Sequence, residues 1–149
     1  MLAELPDATV EFGLDLGFPK AGEVGLKSLV QLMSLRWLNL NRTKVTVSNL
    51  QDLSALHNLQ GLSLLDSDAG SVESLNELAN LKNLRHLNLS FNEATDDGLR
   101  ELANLEKLQS LNLQENNVHA AGVKHLVGLV NCKRTANPFL PVSIVLIPV

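Results

Sequence analysis

Leucines return every 24 residues along most of this 149-residue chain, and a fixed period of that length leaves few folds open. Segments beginning at Glu11, Leu35, Leu59, Leu84 and Leu108 carry an apolar pair at their fourth and sixth places: Leu14/Leu16, Leu38/Leu40, Leu62/Leu64, Leu87/Leu89 and Leu111/Leu113. A second apolar set follows in each, as Leu26/Leu29/Leu32, Leu50/Leu53/Leu56, Leu75/Leu78/Leu81, Leu99/Leu102/Leu105 and Val123/Leu126/Leu129. A unit this short cannot bury such a face alone. It buries it by stacking on its neighbours, so the expected architecture is a solenoid. Five units, at 11–34, 35–58, 59–83, 84–107 and 108–131, exceed the roughly three that a stable array needs. Residues 1–10 precede them as an extension or cap, and 132–149 follow as an apolar tail.

Within each unit the pattern changes period once. From Leu84 to Lys107 the sequence reads LRHLNLSFNEATDDGLRELANLEK. Leu87 and Leu89 alternate with His86, Asn88 and Ser90, which specifies a short strand with one buried face. Asn92 ends that strand, and Asp96-Asp97-Gly98 supplies turn and helix-start chemistry ahead of Leu99, Leu102 and Leu105. Apolar residues three apart suit a short α- or 3₁₀-helix packed inward on the strand layer. Strands stack about 4.8 Å apart whereas helices need roughly 10 Å, so the array curves with its strands on the concave side.

The run LxxLxLxxN, present as Leu84–Asn92 and again as Leu108–Asn116, resembles the leucine-rich repeat. The resemblance covers about residues 11–131, and Thr43-Lys44-Val45-Thr46 and Thr95-Asp96-Asp97-Gly98-Leu99 look like the 24-residue variety common in bacterial proteins of that family. What it implies is an α/β right-handed solenoid with parallel strands on the concave face and short helices on the convex face. It also implies that other proteins are bound on the concave strands. At the ninth place, where the family's asparagine bonds backbone groups of adjacent turns, stand Pro19, Thr43, Ser67, Asn92 and Asn116. The resemblance therefore implies a ladder intact in the last two units, approximated by hydroxyls in the second and third, and absent from the first. Glu11 and Pro19 mark the first unit as degenerate or a terminal cap. The third unit has 25 residues; its extra residue falls between Leu64 and Leu75, where a bulge on the outer side or at the turn leaves the strand stacking intact.

Side chains that face out of the strands are the candidate contacts. The third place gives Gly13, Trp37, Gly61, His86 and Ser110; the fifth gives Asp15, Asn39, Ser63, Asn88 and Asn112. The eighth, at the strand end, gives Phe18, Arg42, Asp66, Phe91 and Glu115. Trp37, Arg42, His86 and Phe91 are the expected partner contacts, because Trp and Arg are favoured hot spots and the aromatics between residues 13 and 138 all fall on this face. Asn39, Asn88 and Asn112 complete the expected site. The competing reading of Phe18 and Phe91 is that they turn inward as core.

Chemistry is sparsely signalled. His119 and His125 are six residues apart, off a common helical face, and no HExxH pattern occurs. Asp66/Asp68 and Asp96/Asp97 lack the further spaced oxygens of a calcium loop and suit turns and helix caps. No phosphate loop, G-x-S-x-G elbow or paired-carboxylate motif appears, and Cys132 with His125 lacks an orienting third residue. The expectation is a non-enzyme without metal or cofactor. Net charge is −4, with −7 on residues 1–115 and +3 on the remainder, so nucleic acid is not an expected partner. No apolar run of about 18 residues spans a membrane. One cysteine and no recognisable signal sequence suggest a cytoplasmic location, with an extracellular one open should the chain be a fragment.

The repeat fails after Asn131, where Cys132, Thr135 and Asn137 replace leucines. Three readings of the tail PFLPVSIVLIPV, Pro138–Val149, stay open: a cap on the array, self-association with another chain, or no evolved role. The function expected from the whole is a module binding a protein or peptide on its strand face. Its rivals are a structural or assembly segment of a longer array, and the substrate-recognition part of an effector or ubiquitin-ligase-like protein.

Overall fold

Among the described residues six short strands form one parallel sheet in strict chain order, β1 Phe12–Asp15, β2 Leu35–Asn39, β3 Gly61–Ser63, β4 His86–Asn88, β5 Ser110–Asn112 and β6 Ser143–Val145. The computed structural model describes residues 11–17, 26–127, 129 and 143–145. Parallel neighbours need a crossover each time, and short helices supply it: a 3₁₀ turn at Leu26–Gln31, α1 Val47–Leu53, α2 Val72–Leu78, α3 Asp96–Leu102 and α4 Ala120–Val123, the last continued by a 3₁₀ turn at Lys124–Leu126. Each helix packs on the next, giving a second layer behind the sheet.

Between the layers lies the leucine core. Leu38, Leu62 and Leu87 enter from the strands, Leu40, Leu64 and Leu89 from the residue after each, and Leu50, Leu53, Leu75, Leu78, Leu99 and Leu102 from the helices. All are buried, as the two apolar sets in each repeat require. Helix starts are individually specified. Thr46 caps α1 in a capping box with Asn49, and Ser71 accepts from the Ser74 N–H at 3.1 Å to cap α2. Thr95 stands at the N-cap of α3 without such a bond, and Asp96 and Asp97 place negative charge on the first turn instead.

Register runs Trp37↔Gly61↔His86↔Ser110 without a break, so the 25-residue unit does not disturb the strands. The extra residue is taken up between Ser67 and Ser71, behind the sheet. Gly70 is needed there: a Cβ on it would sit 1.7 Å from the Asn92 carbonyl oxygen. In the first unit Glu11 cannot enter the core and instead pairs with Arg36 at 2.9 Å. The β1–β2 register shifts between Phe12 and Gly13, which sets the half-buried Phe12 opposite Leu35 where a leucine would stand.

The ninth-place ladder is visible in bond lengths. Asn92, 5% exposed, accepts from the N–H groups of Ser67 (3.1 Å) and Ala69 (2.9 Å) and donates through Nδ2 to the carbonyls of Leu64, Leu89 and Ser90. Asn116 repeats the arrangement one turn on, accepting from Asn92 and Ala94. Thr43 and Ser67, with one hydroxyl each, donate to the Leu40 carbonyl and accept no such pair. Pro19 lies outside the described residues, as do Phe18, Cys132 and the tail apart from β6. That strand pairs with β5 at Ser110↔Ser143, Leu111↔Ile144 and Asn112↔Val145.

Candidate functional site

Among the described residues, the outward strand face carries an aromatic stack. Trp37 on β2 is 50% exposed, and its indole leans across β3 to stack on His86 of β4, with ring centroids 5.0 Å apart and planes 23° from parallel. Gly61 makes this possible. It is the register partner of Trp37 and His86, and a Cβ there would lie 2.0 Å from indole Cε3. A glycine at one strand position thus provides the slot for the side chain of the previous one. Around the stack runs a groove of about 550 Å³, from Gly13 and Asp15 at one end to Ser110 and Asn112 at the other.

The fifth-place row lies along the groove floor. Asn39 accepts from the N–H of Asn41 (2.9 Å), Asn88 from the N–H and hydroxyl of Ser90 (3.1 and 2.7 Å), Asn112 from the N–H of Gln114 (3.0 Å), and Asp15 from that of Gly17 (2.9 Å). Each side-chain oxygen therefore holds its own strand end in an Asx turn. Ser63 is the exception in this row: the N–H of Leu65 donates to Asn41 of the neighbouring turn at 2.9 Å, and the Ser63 hydroxyl donates to the same oxygen at 2.7 Å.

Arg42 and Phe91 sit apart from the stack, at the eighth place beyond the strand ends. The backbone there is left-handed in every described unit that has the position: φ is 59° at Arg42, 53° at Asp66, 59° at Phe91 and 54° at Glu115. That turn directs these side chains outward. Phe91 is 49% exposed, so the core alternative for it does not hold, and Arg42 lies exposed with its Nε 3.8 Å from the Asp66 carboxylate. Five residues along the strand and two strands across separate Phe91 from Trp37, roughly 20 Å. The structure joins Trp37 with His86 and leaves Arg42 and Phe91 on the rim, Arg42 in the wall of a second groove of about 340 Å³ lined also by Asp15, Gly17, Asn39, Asn41 and Leu65.

Two contributions fall outside the expected partner contacts. Gly61 reads in the sequence as an empty place, and only the neighbouring tryptophan gives it meaning. A second ladder runs where helices return to strands: Asn58 Nδ2 donates to the Met33 carbonyl (2.8 Å), Asn83 Nδ2 to the His57 carbonyl (2.6 Å) and Lys107 Nζ to Asn83 Oδ1 (2.6 Å). Its signal was the recurrence of asparagine one residue before a repeat begins, at Asn58 and Asn83.

Among the described residues no group of three or more His, Cys, Asp or Glu is placed to hold a metal ion, and no helix is long and apolar enough to cross a membrane. His119 Nδ1 lies 3.7 Å from Asp96 at the exposed start of α4, while the Asp96 carboxylate accepts the His119 N–H at 2.7 Å.

Residues 80–103 and 104–127 each match the leucine-rich repeat family, over the two turns that carry the ladder asparagines Asn92 and Asn116. Residues 80–127 are two leucine-rich repeats in tandem. Repeats of this family generally serve protein–protein interaction. Among solved structures this chain is similar to an internalin from Listeria monocytogenes, at 20% identity and a TM-score of 0.41, over 69% of this chain and 42% of the internalin chain. Among curated proteins none matches it.

Proposed function

We propose that this leucine-rich-repeat chain is a non-enzymatic binding module that holds a protein or peptide segment on its strand face. The observation that carries the reading is the Trp37–His86 stack: a half-exposed indole seated on Gly61 in the middle of a parallel sheet. A large aromatic held against glycine and a second ring offers apolar area without side-chain ordering on binding, which is how a few anchors come to dominate an interface. Arg42 and Phe91 extend the same surface past the strand ends. Asn39, Asn88 and Asn112 act within it chiefly by fixing the strand ends, since their oxygens are already engaged. The single cysteine, Cys132, supports a cytoplasmic setting.

The test is capture from native lysate with wild type and with Trp37→Ala/His86→Ala, both checked by circular dichroism. Loss of a captured protein with the spectrum unchanged supports the strand face as the working surface. Equal capture by both proteins overturns the assignment of that surface.

A further inference from the structure

From β3 to β5 the two ends of the strands differ in charge, whereas the turn leaving β2 carries exposed Arg42 and Lys44, with Arg42 Nε 3.8 Å from the Asp66 carboxylate. The turns leaving β3, β4 and β5 carry Asp66, Asp68, Glu93 and Glu115, all exposed, with no Lys or Arg between them. The turns entering β4 and β5 carry exposed Lys82, Arg85 and Lys107 against one acid, Glu106. Backbone hydrogen bonds keep both rows in register. At the exit end Asp66 N–H donates to Ser90 O (3.0 Å) and Phe91 N–H to Gln114 O (2.9 Å); at the entry end Arg85 N–H donates to Gln60 O (2.7 Å) and Gln109 N–H to Arg85 O (2.6 Å). Asp66, Phe91 and Glu115 therefore stand side by side on three successive turns, about 4.8 Å per step. An exposed aromatic ring lies between two carboxylates. The groove between the two ends has no charged residue in its floor other than Asp15, at the far edge.

We propose that the segment held on the strand face is dipolar and lies along the strands. Its Lys/Arg-rich end seats against Phe91 between Asp66 and Glu115, where ring and carboxylates both favour a cation. Its Asp/Glu-rich end reaches Lys82, Arg85 and Lys107. The second and eighth places of a repeat are roughly 20 Å apart, so about six residues of an extended chain separate the two clusters. Apolar or uncharged residues of that stretch cover the Trp37–His86 stack. This rests on the strand-face reading and adds the chemistry and direction of the partner.

The test is selection of displayed random peptides of about 16 residues on the full chain, in parallel on Trp37→Ala, on Asp66→Asn/Asp68→Asn/Glu93→Gln/Glu115→Gln, and on Lys82→Gln/Arg85→Gln/Lys107→Gln. Asparagine tolerates the left-handed turn, so neutralisation at the two aspartates adds no strain there. Expected from wild type are peptides with a basic and an acidic cluster about six residues apart, enriched at least about tenfold over the starting library. Neutralising either rim removes enrichment of the opposite cluster alone. Wild-type binders that depend on Trp37 but show no such charge pattern overturn the dipolar partner and leave the strand-face reading standing. Binders indifferent to Trp37 and to both rims, or no binders at all, overturn both readings. Should one neutralised protein lose its circular dichroism spectrum, the other rim's variant decides by the same criterion.

Discussion

Asn92→Ala measures what the repeat's signature residue contributes. The substitution removes the oxygen that holds the N–H groups of Ser67 and Ala69, and the amide that donates at 2.7 Å to the Leu64 carbonyl. The carbonyls of Leu89 and Ser90 keep second donors, Nδ2 of Asn116 and the N–H of Asp66. Three polar groups beside a 5% exposed side chain thus lose their Asn92 partner. At about 1 kcal/mol each, the low end for buried groups because water can enter from the neighbouring turn, the loss is about 3 kcal/mol. Asn116→Ala is the internal control. Its two acceptor bonds, from Asn92 and Ala94, also vanish, but the site is half-buried, and the carbonyls of Leu89 and Gln114 retain Asn92 Nδ2 and the Phe91 N–H. Its cost is about 1 kcal/mol. Urea unfolding followed by circular dichroism reads both, with a midpoint drop of about 1–2 M for Asn92→Ala and well under 1 M for Asn116→Ala. Equal losses at the two sites, or less than about 1 kcal/mol at Asn92, would refute the inference that buried backbone groups are what the ladder serves.

Gly61→Ala tests the slot beneath the indole. Its Cβ meets a ring that can swing away, so stability falls by less than about 1 kcal/mol while emission from the single tryptophan shifts; an unchanged spectrum sinks the seat proposed for Trp37. Gly70→Ala puts the same atom 1.7 Å from a backbone oxygen that has no such freedom, and urea unfolding should show a loss of about 2–3 kcal/mol, clearly above that of Gly61→Ala. Thr46→Ala removes a capping box and should cost about 1 kcal/mol in thermal unfolding, whereas Thr95→Ala, at a cap without a side-chain bond, should cost less than half as much; reversed order would contradict the cap geometry. Trp37→Ala should weaken whatever segment is captured by about 2 kcal/mol, roughly thirtyfold, in titration calorimetry with that segment.

The repeat was legible because two periodicities agree. Leu87 and Leu89 at a spacing of two and Leu99, Leu102 and Leu105 at a spacing of three can share one core only as a strand followed by a short helix, and the 24-residue return repeats that constraint. Helix type was less legible, since Leu26–Gln31 winds as 3₁₀ where Val47–Leu53 winds as α on the same leucine spacing. The first unit shows why a strict alignment misplaces residues. Glu11 occupies a leucine place in the sequence, but the cost of burying its carboxylate exceeds that of a register shift, so Phe12 moves opposite Leu35 and Glu11 meets Arg36 at the surface. Likewise the 25-residue unit announces an insertion without fixing its place; the match of buried Ala69 to Ala94 and of the N-cap Ser71 to Thr95 does that.

The strand face was legible as a set of positions but not as a set of roles. Period-2 alternation says that Trp37, Asn39, His86, Asn88 and Asn112 point away from the core, and they do. Pointing outward does not leave a polar group uncommitted. At the fifth place a short amide returns to the backbone two residues on, and Asn39, Asn88 and Asn112 all spend their oxygens that way. The third place lacks that option, because indole and imidazole have no reach to their own strand end; they find each other across a glycine instead. Recurrence is therefore the discriminating signal. Asparagine or aspartate stands at the fifth place in four of five units, as expected of a group serving the scaffold, whereas tryptophan and histidine each occur once at the third place. A residue that breaks the repeat on an exposed face, with its space cleared by a neighbouring glycine, is where specificity can reside without weakening the stack that carries it.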